Sequence, residues 1–336
     1  MLDHAAEFLR QLRPDAPEPA AQFVRELIVT AVRLLDDRTP VADVRLLNAA
    51  LRELRHAFRV FARYRDVPKV TTFGSARTVE SDPAFLQAEE FARQIAAAGF
   101  MVITGAGGGI MRACQRGAGR ERTFGVNIRL PSEQRPNEFI ADDPKLMTFR
   151  YFFTRKLLFV KEADAVVLFP GGFGTLDEAY ECLTLVQTGK AGPMPIVLLD
   201  APGGEYWRAW RERVEGQLLR RGLISEEDRS LFRVTDDAGE AVEEIRGFYR
   251  VYHSSRYVGE KLVIRLRQPL DDPTLQRLEN DFRDLLASGR FYLSAALAEE
   301  DADETAALPR LVLHFNRANF GRLRQMIDFV NRAGAR

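Results

Sequence analysis

The chain has little from which to build a disulfide or a metal centre. Its two cysteines, Cys114 and Cys182, stand in apolar helical stretches of a 336-residue sequence. They read as buried thiols of a reducing compartment rather than as a cross-link. The four histidines, His4, His56, His253 and His314, are scattered, and none has a zinc-like spacing to a cysteine, so no metal site is expected. An excess of one charge is missing too: 48 Lys and Arg stand against 48 Asp and Glu. A general nucleic-acid binder would need a basic surplus, so no nucleic-acid partner is expected. No apolar run is long enough to span a bilayer. The N-terminus lacks a basic patch followed by an apolar core, so a signal peptide is not expected, and the expected setting is cytoplasmic. Gly-Lys-Ser/Thr does not occur, which excludes a P-loop. Internal repeats and low-complexity tracts are absent as well. What remains is a globular composition, 46% hydrophobic, long enough for two or three domains.

The most informative stretch is Ala165 to Glu178. Ala165-Val-Val-Leu-Phe169 is a short apolar run that reads as a buried parallel strand. Pro170, Gly171, Gly172 and Gly174 break it, and Leu176, Ala179, Tyr180 and Leu183 then recur at helical spacing. Strand, glycine turn and helix together aim backbone N–H groups and a positive helix end at the strand's carboxyl edge, where a phosphate fits. Gly171, Gly172, Gly174 and Thr175 are therefore candidate phosphate ligands. Glu178, just inside the helix, and Arg155 and Lys156, on the preceding helical segment, are the candidate charged groups. Thr175-x-x-Glu178 also has the form of a capping box, which would make Glu178 structural.

Other strand ends converge on the same place. Lys69 to Arg77 reads as a first strand ending in Gly74-Ser75, followed by a helix over about 82–98. Gly99 to Thr104 is a second strand, and Gly105-Ala-Gly107-Gly108-Gly109 opens the next helix. A dinucleotide fingerprint would need a glycine where Ile110 stands and an acid near Asn127. The glycines therefore fit approach to a mononucleotide better. Thr123 to Arg129 is a third strand. It places Asn127 at its carboxyl end and leads into a polar loop with Glu133, Gln134 and Asn137, side chains suited to a base or ribose edge. Met147 to Lys161 reads as one helix, Pro195 to Asp200 as a further strand, and Tyr206 to Arg220 as a helix. Alternating strands and helices imply a doubly wound, Rossmann-like parallel sheet over 66–250, with ligands at the carboxyl ends of its strands. Residues 1–65 read as a helical segment with two apolar stripes, a cap or an oligomer contact. Residues 251–336 read as a small α+β domain of βαββα order, compatible with a ferredoxin-like arrangement.

Pro170-Gly-Gly-Phe-Gly-Thr-x-x-Glu178, with Arg155-Lys156 upstream and Phe73-Gly-Ser-Ala-Arg77 at the first strand end, resembles the signature of the LOG ("Lonely Guy") family. The resemblance runs over about residues 66–215. It implies hydrolysis of a nucleoside 5'-monophosphate to free base and ribose 5-phosphate without a cofactor. It also implies a homodimer or a higher even oligomer. Many members have carried the label lysine decarboxylase, a chemistry that needs a pyridoxal-bearing lysine. Lys156 imitates that only by its position beside a phosphate cradle. In the hydrolytic reading, the glycine turn and Thr175 hold the phosphate, with Gly74, Ser75, Gly107 to Gly109, Asn127, Glu133 and Lys156 around the nucleotide. Glu178 faces the positive charge that develops on the ribose, and Arg155 serves the departing base or the phosphate. The rival reading is a non-catalytic nucleotide-binding or carrier protein. It would need the glycine turn but neither Arg155 nor Glu178.

Overall fold

The computed structural model describes residues 1–131, 135–300 and 304–334. The chain divides into two units, 1–59 and 60–336. The first holds α1 (Leu2–Leu12), α2 (Glu18–Asp36) and most of α3 (Val41–Phe61). Pro17 and Pro19 bracket the start of α2, where a missing N–H costs nothing. Phe23, Leu27, Leu35, Leu47 and Leu51 are exposed, so the two apolar stripes of this segment keep an open face.

The second unit begins with the strand–helix alternation: β1 (Lys69–Phe73), α4 (Pro83–Ala97), β2 (Met101–Thr104), α5 (Ile110–Ala118), β3 (Thr123–Ile128) and β4 (Leu146–Phe149). It continues with α6 (Phe152–Lys161), β5 (Ala165–Leu168), α7 (Phe173–Gln187), β6 (Ile196–Leu199), α8 (Tyr206–Arg213), β7 (Arg233–Thr235) and α9 (Ala238–Phe248). All seven strands are parallel, in the order β4-β3-β2-β1-β5-β6-β7. The strands are apolar because helices cover both faces. Val70, Val102, Val167 and Val197 form a core with residues of α4, α5 and α9. The order reverses between β1 and β5, and such a switch point leaves a crevice at the strands' carboxyl ends. The two loops that flank it are the ones carrying Gly74-Ser75 and the Pro170–Thr175 turn.

Two expectations need correction here. Met147 to Lys161 is not one helix: Leu146 to Phe149 is a strand paired with β3, and α6 starts only at Phe152. Four residues of mixed polarity and aromaticity give no decisive period, and the neighbouring strand settles their conformation. Tyr206 to Arg220 is α-helical only to Arg213, and Val214 to Leu219 continue as a π-helix.

A second sheet follows in the same unit. It comprises β8 (Tyr252–Val258), β9 (Lys261–Leu266), α10 (Asp272–Asp281), β10 (Leu286–Ser294), β11 (Arg310–Phe315) and α11 (Phe320–Ala333). The sheet order is β10-β11-β9-β8, antiparallel throughout. β9-α10-β10-β11-α11 is the βαββα run read from the sequence. β8 fills, from the front of the chain, the edge position that the last strand of a βαββαβ sheet takes. The two sheets are joined through buried polar contacts. The Tyr249 hydroxyl donates to the Asp164 carbonyl at 2.6 Å. Asn331 of α11 donates from Nδ2 to the Phe248 carbonyl at the end of α9, at 2.5 Å.

Candidate active site

The crevice at the switch point is built by loops bonded to each other. Phe169 N donates to Phe73 O at 2.9 Å, Ser75 N to Pro170 O at 3.1 Å, and Ile110 N to Ser75 O at 3.0 Å. The loops after β1, β2 and β5 are thereby locked into one floor. Gly109 has φ +58°, and a Cβ there would collide with the Ser75 carbonyl. Only glycine satisfies both conditions. Gly171 is constrained by space alone, since a Cβ would strike Thr175 Oγ1. Gly172 and Gly174 instead have no atoms within 4 Å of a would-be Cβ, so that side of the turn is open. Helix α7 begins at Phe173 with Gly172 as N-cap, and no side chain caps it. Its first N–H groups are therefore available to an anion. The Ser75 hydroxyl oxygen accepts from Arg77 N at 3.1 Å, which leaves its proton free to donate.

The capping-box expectation fails. With Gly172 as the cap, Thr175 is the third residue of α7 and Glu178 the sixth, too deep to reach the helix end. Glu178 is instead buried, at 6% exposure. Its Oε2 has no hydrogen-bond partner, and the Lys156 ammonium lies 3.9 Å away. Burial pushes its pKa up to about 7, against the opposing pull of Lys156 and Arg155. Lys156 is held by α7 itself, with Asp177 at 2.7 Å and Glu181 at 2.8 Å. Burial disfavours its charge, yet these hydrogen bonds and Glu178 outweigh that and raise its pKa. Arg155 reaches the other way: Nε donates to the Val126 carbonyl at 2.8 Å, and the guanidinium lies over the Phe159 ring, 4.9 Å from its centroid. It also packs against Gly105, where a Cβ would meet Nη2. Burial lowers its pKa to about 10 while Glu178 supports its charge, so it stays cationic at neutral pH. Two cations thus flank one buried carboxylate below the glycine turn.

The remaining predicted residues divide. Asn127 is buried near the carboxyl end of β3. Gly107 and Gly108 lie in the loop after β2, and Gly108 Cα faces the Ala76 carbonyl. Glu133 and Gln134 lie outside the described residues. Asn137 braces this loop: its Nδ2 contacts the carbonyls of Ala106 and Gly107 and Gln115 Oε1 at 2.6–3.2 Å. That is needed because Ala106 adopts φ +63° without being glycine. Two residues escape the sequence reading. The Tyr206 hydroxyl donates to the Gly171 carbonyl at 2.6 Å, and Phe173, at the tip of the turn, is 95% exposed. Tyr206 follows the loop after β6, so the carboxyl-end rule applied to that strand would have singled it out.

A doubly wound parallel sheet with glycine loops meeting at its switch point defines a Rossmann-like α/β protein. Residues 108–245 match a family model described as possible lysine decarboxylase. A protein described as probable cytokinin riboside 5'-monophosphate phosphoribohydrolase LOG4, of Oryza sativa subsp. japonica, is 28% identical over 148 residues. That match covers 43% of this chain and 61% of the rice protein. Both matches fall in the α/β part of the chain, which is similar to LOG-type proteins over that stretch. Among solved structures, one from a structural genomics consortium is 24% identical with a TM-score of 0.38, covering 53% of this chain and 98% of that one. The molybdenum cofactor carrier protein of Chlamydomonas reinhardtii is 21% identical with a TM-score of 0.37, covering 54% and 96%.

Proposed function

We propose that the protein hydrolyses the N-glycosidic bond of nucleoside 5'-monophosphates, releasing free base and ribose 5-phosphate. The observation that carries this is Glu178: a buried carboxyl with an unpartnered oxygen, beside Arg155 and Lys156, on the helix whose first turn is open to a phosphate. The uncapped N–H groups of Phe173, Gly174 and Thr175, with the open side of Gly172, bind the 5'-phosphate. The Ser75 hydroxyl adds a donor from the opposite loop. Cleavage sends the bonding electrons to the base nitrogen and leaves positive charge on the ribose. The ionised Glu178 stabilises that charge and takes a proton from the water that attacks C1'. The departing base takes its proton from solvent and Glu178 returns the water's proton to solvent, while Arg155 offsets the negative charge that builds up on the base or anchors the phosphate. Lys156, held by Asp177 and Glu181, keeps Glu178 from being permanently protonated in its buried setting. Neither a metal nor a cofactor enters these steps.

A carrier would need the glycine turn, but nothing in its task calls for a carboxyl buried without a hydrogen-bond partner. The test is a panel of nucleosides and their 5'-monophosphates, with free base followed by chromatography. The monophosphates should react far faster than the nucleosides. Equal rates on AMP and adenosine would remove the phosphate-cradle reading, and tight binding without any release of base would favour the carrier.

A further inference from the structure

A second concave site lies away from the crevice, where the edge strand β7 and the end of α9 meet α11. The cleft is about 440 Å³, and five arginines line it: Arg229, Arg233, Arg250, Arg324 and Arg332. Its acids are already committed. Glu244 and Asp328 grip Arg324, the latter at 2.8 Å, and Glu243 pairs with Arg246 at 2.8 Å. Arg229 is likewise taken, by Glu226 and by Glu215 at 3.2 Å. Arg233 and Arg250 are exposed and have no acidic partner among the described residues. Arg332 stands near Asp328, whose charge Arg324 already shares. The cleft therefore keeps a local positive surplus in a chain whose formal net charge is zero. Low-dielectric walls around such a surplus concentrate its field on whatever enters.

We propose that this cleft binds a polyphosphate anion. Guanidinium forks match phosphate oxygens bidentately. Three such groups on three different elements, around a cavity of this size, suit a chain of two or three phosphates better than a single one. An anion held there would clamp β7 and α9 to α11, across the seam between the two sheets.

The test is calorimetric titration of the full chain, at low ionic strength, with inorganic pyrophosphate, triphosphate and orthophosphate. Saturable binding of the first two is expected, with orthophosphate weaker by about tenfold or more. Each guanidinium lost should cost roughly tenfold, so Arg233→Gln with Arg250→Gln should weaken pyrophosphate about a hundredfold. Arg155→Ala, in the crevice, should leave it unchanged. If the double variant does not fold, Arg332→Gln alone should still weaken binding about tenfold. Three results would overturn the proposal: no saturable binding, affinity untouched by the cleft variants, or affinity lost in Arg155→Ala instead.

Discussion

Glu178 holds a group in a state that its surroundings resist. Its folded pKa of about 7, against an ordinary 4.5, means that the folded chain binds more protons than the unfolded chain between those values. Stability contributed by this group therefore falls as pH rises from 4.5 to about 7, and the full penalty persists above. A shift of this size corresponds to at most about 3 kcal/mol. Glu178→Gln should accordingly be more stable than the parent at pH 8 by up to that amount, with the difference vanishing below pH 4.5. Denaturant unfolding at the two pH values measures it. A variant less stable at pH 8 would mean that the carboxylate is held by favourable contacts after all. Activity should show the same titration: kcat/KM should fall as pH drops through about 7, where the carboxylate is lost. Lys156→Met removes an attraction that opposes protonation, so it should move this acid limb to higher pH. An unmoved limb would assign it to another group.

At the scale of elements, the glycine turn and α7 do the positioning. In a trans peptide the carbonyl and the following N–H point in opposite directions. With the Gly171 carbonyl fixed by Tyr206, the Gly172 N–H is aimed away from that tyrosine. Tyr206→Phe loses one hydrogen bond, about 1 kcal/mol, and should raise KM for a monophosphate roughly fivefold with little change in kcat. An unchanged KM would reduce Tyr206 to packing. Much of this machinery was legible beforehand, because after β1, β2 and β5 a short buried run gives way to glycines and then to a period-3.6 pattern. The short strand β4 was not, since four residues carry no period of their own and only pairing with β3 decides them. Nor was the start of α7: Thr175-x-x-Glu178 fits a capping box by spacing, and only the position of Gly172 as cap shows that Glu178 lies too far along the helix.

The whole molecule adds what local patterns do not contain. The switch point between β1 and β5 exists only once the strand order is known, and that order collects loops spread over a hundred residues of chain. It also leaves apolar side chains uncovered on the elements that bear the charged groups: Phe152, Phe153 and Leu157 of α6 and Phe173 of α7. We propose that these exposed side chains contribute to a protein contact. A dimer or larger even oligomer is expected in sedimentation at micromolar concentration, shifting to monomer in Phe153→Asp with Leu157→Asp; a monomeric parent would contradict this. The central claim, catalysis by a buried carboxylate beneath a phosphate cradle, rests most directly on Glu178→Gln. Free base released from a nucleoside 5'-monophosphate is measured for parent and variant, with binding followed separately by calorimetry. The account predicts unchanged binding and turnover lower by about a hundredfold or more, the scale of one lost electrostatic stabiliser. Turnover close to that of the parent would contradict it.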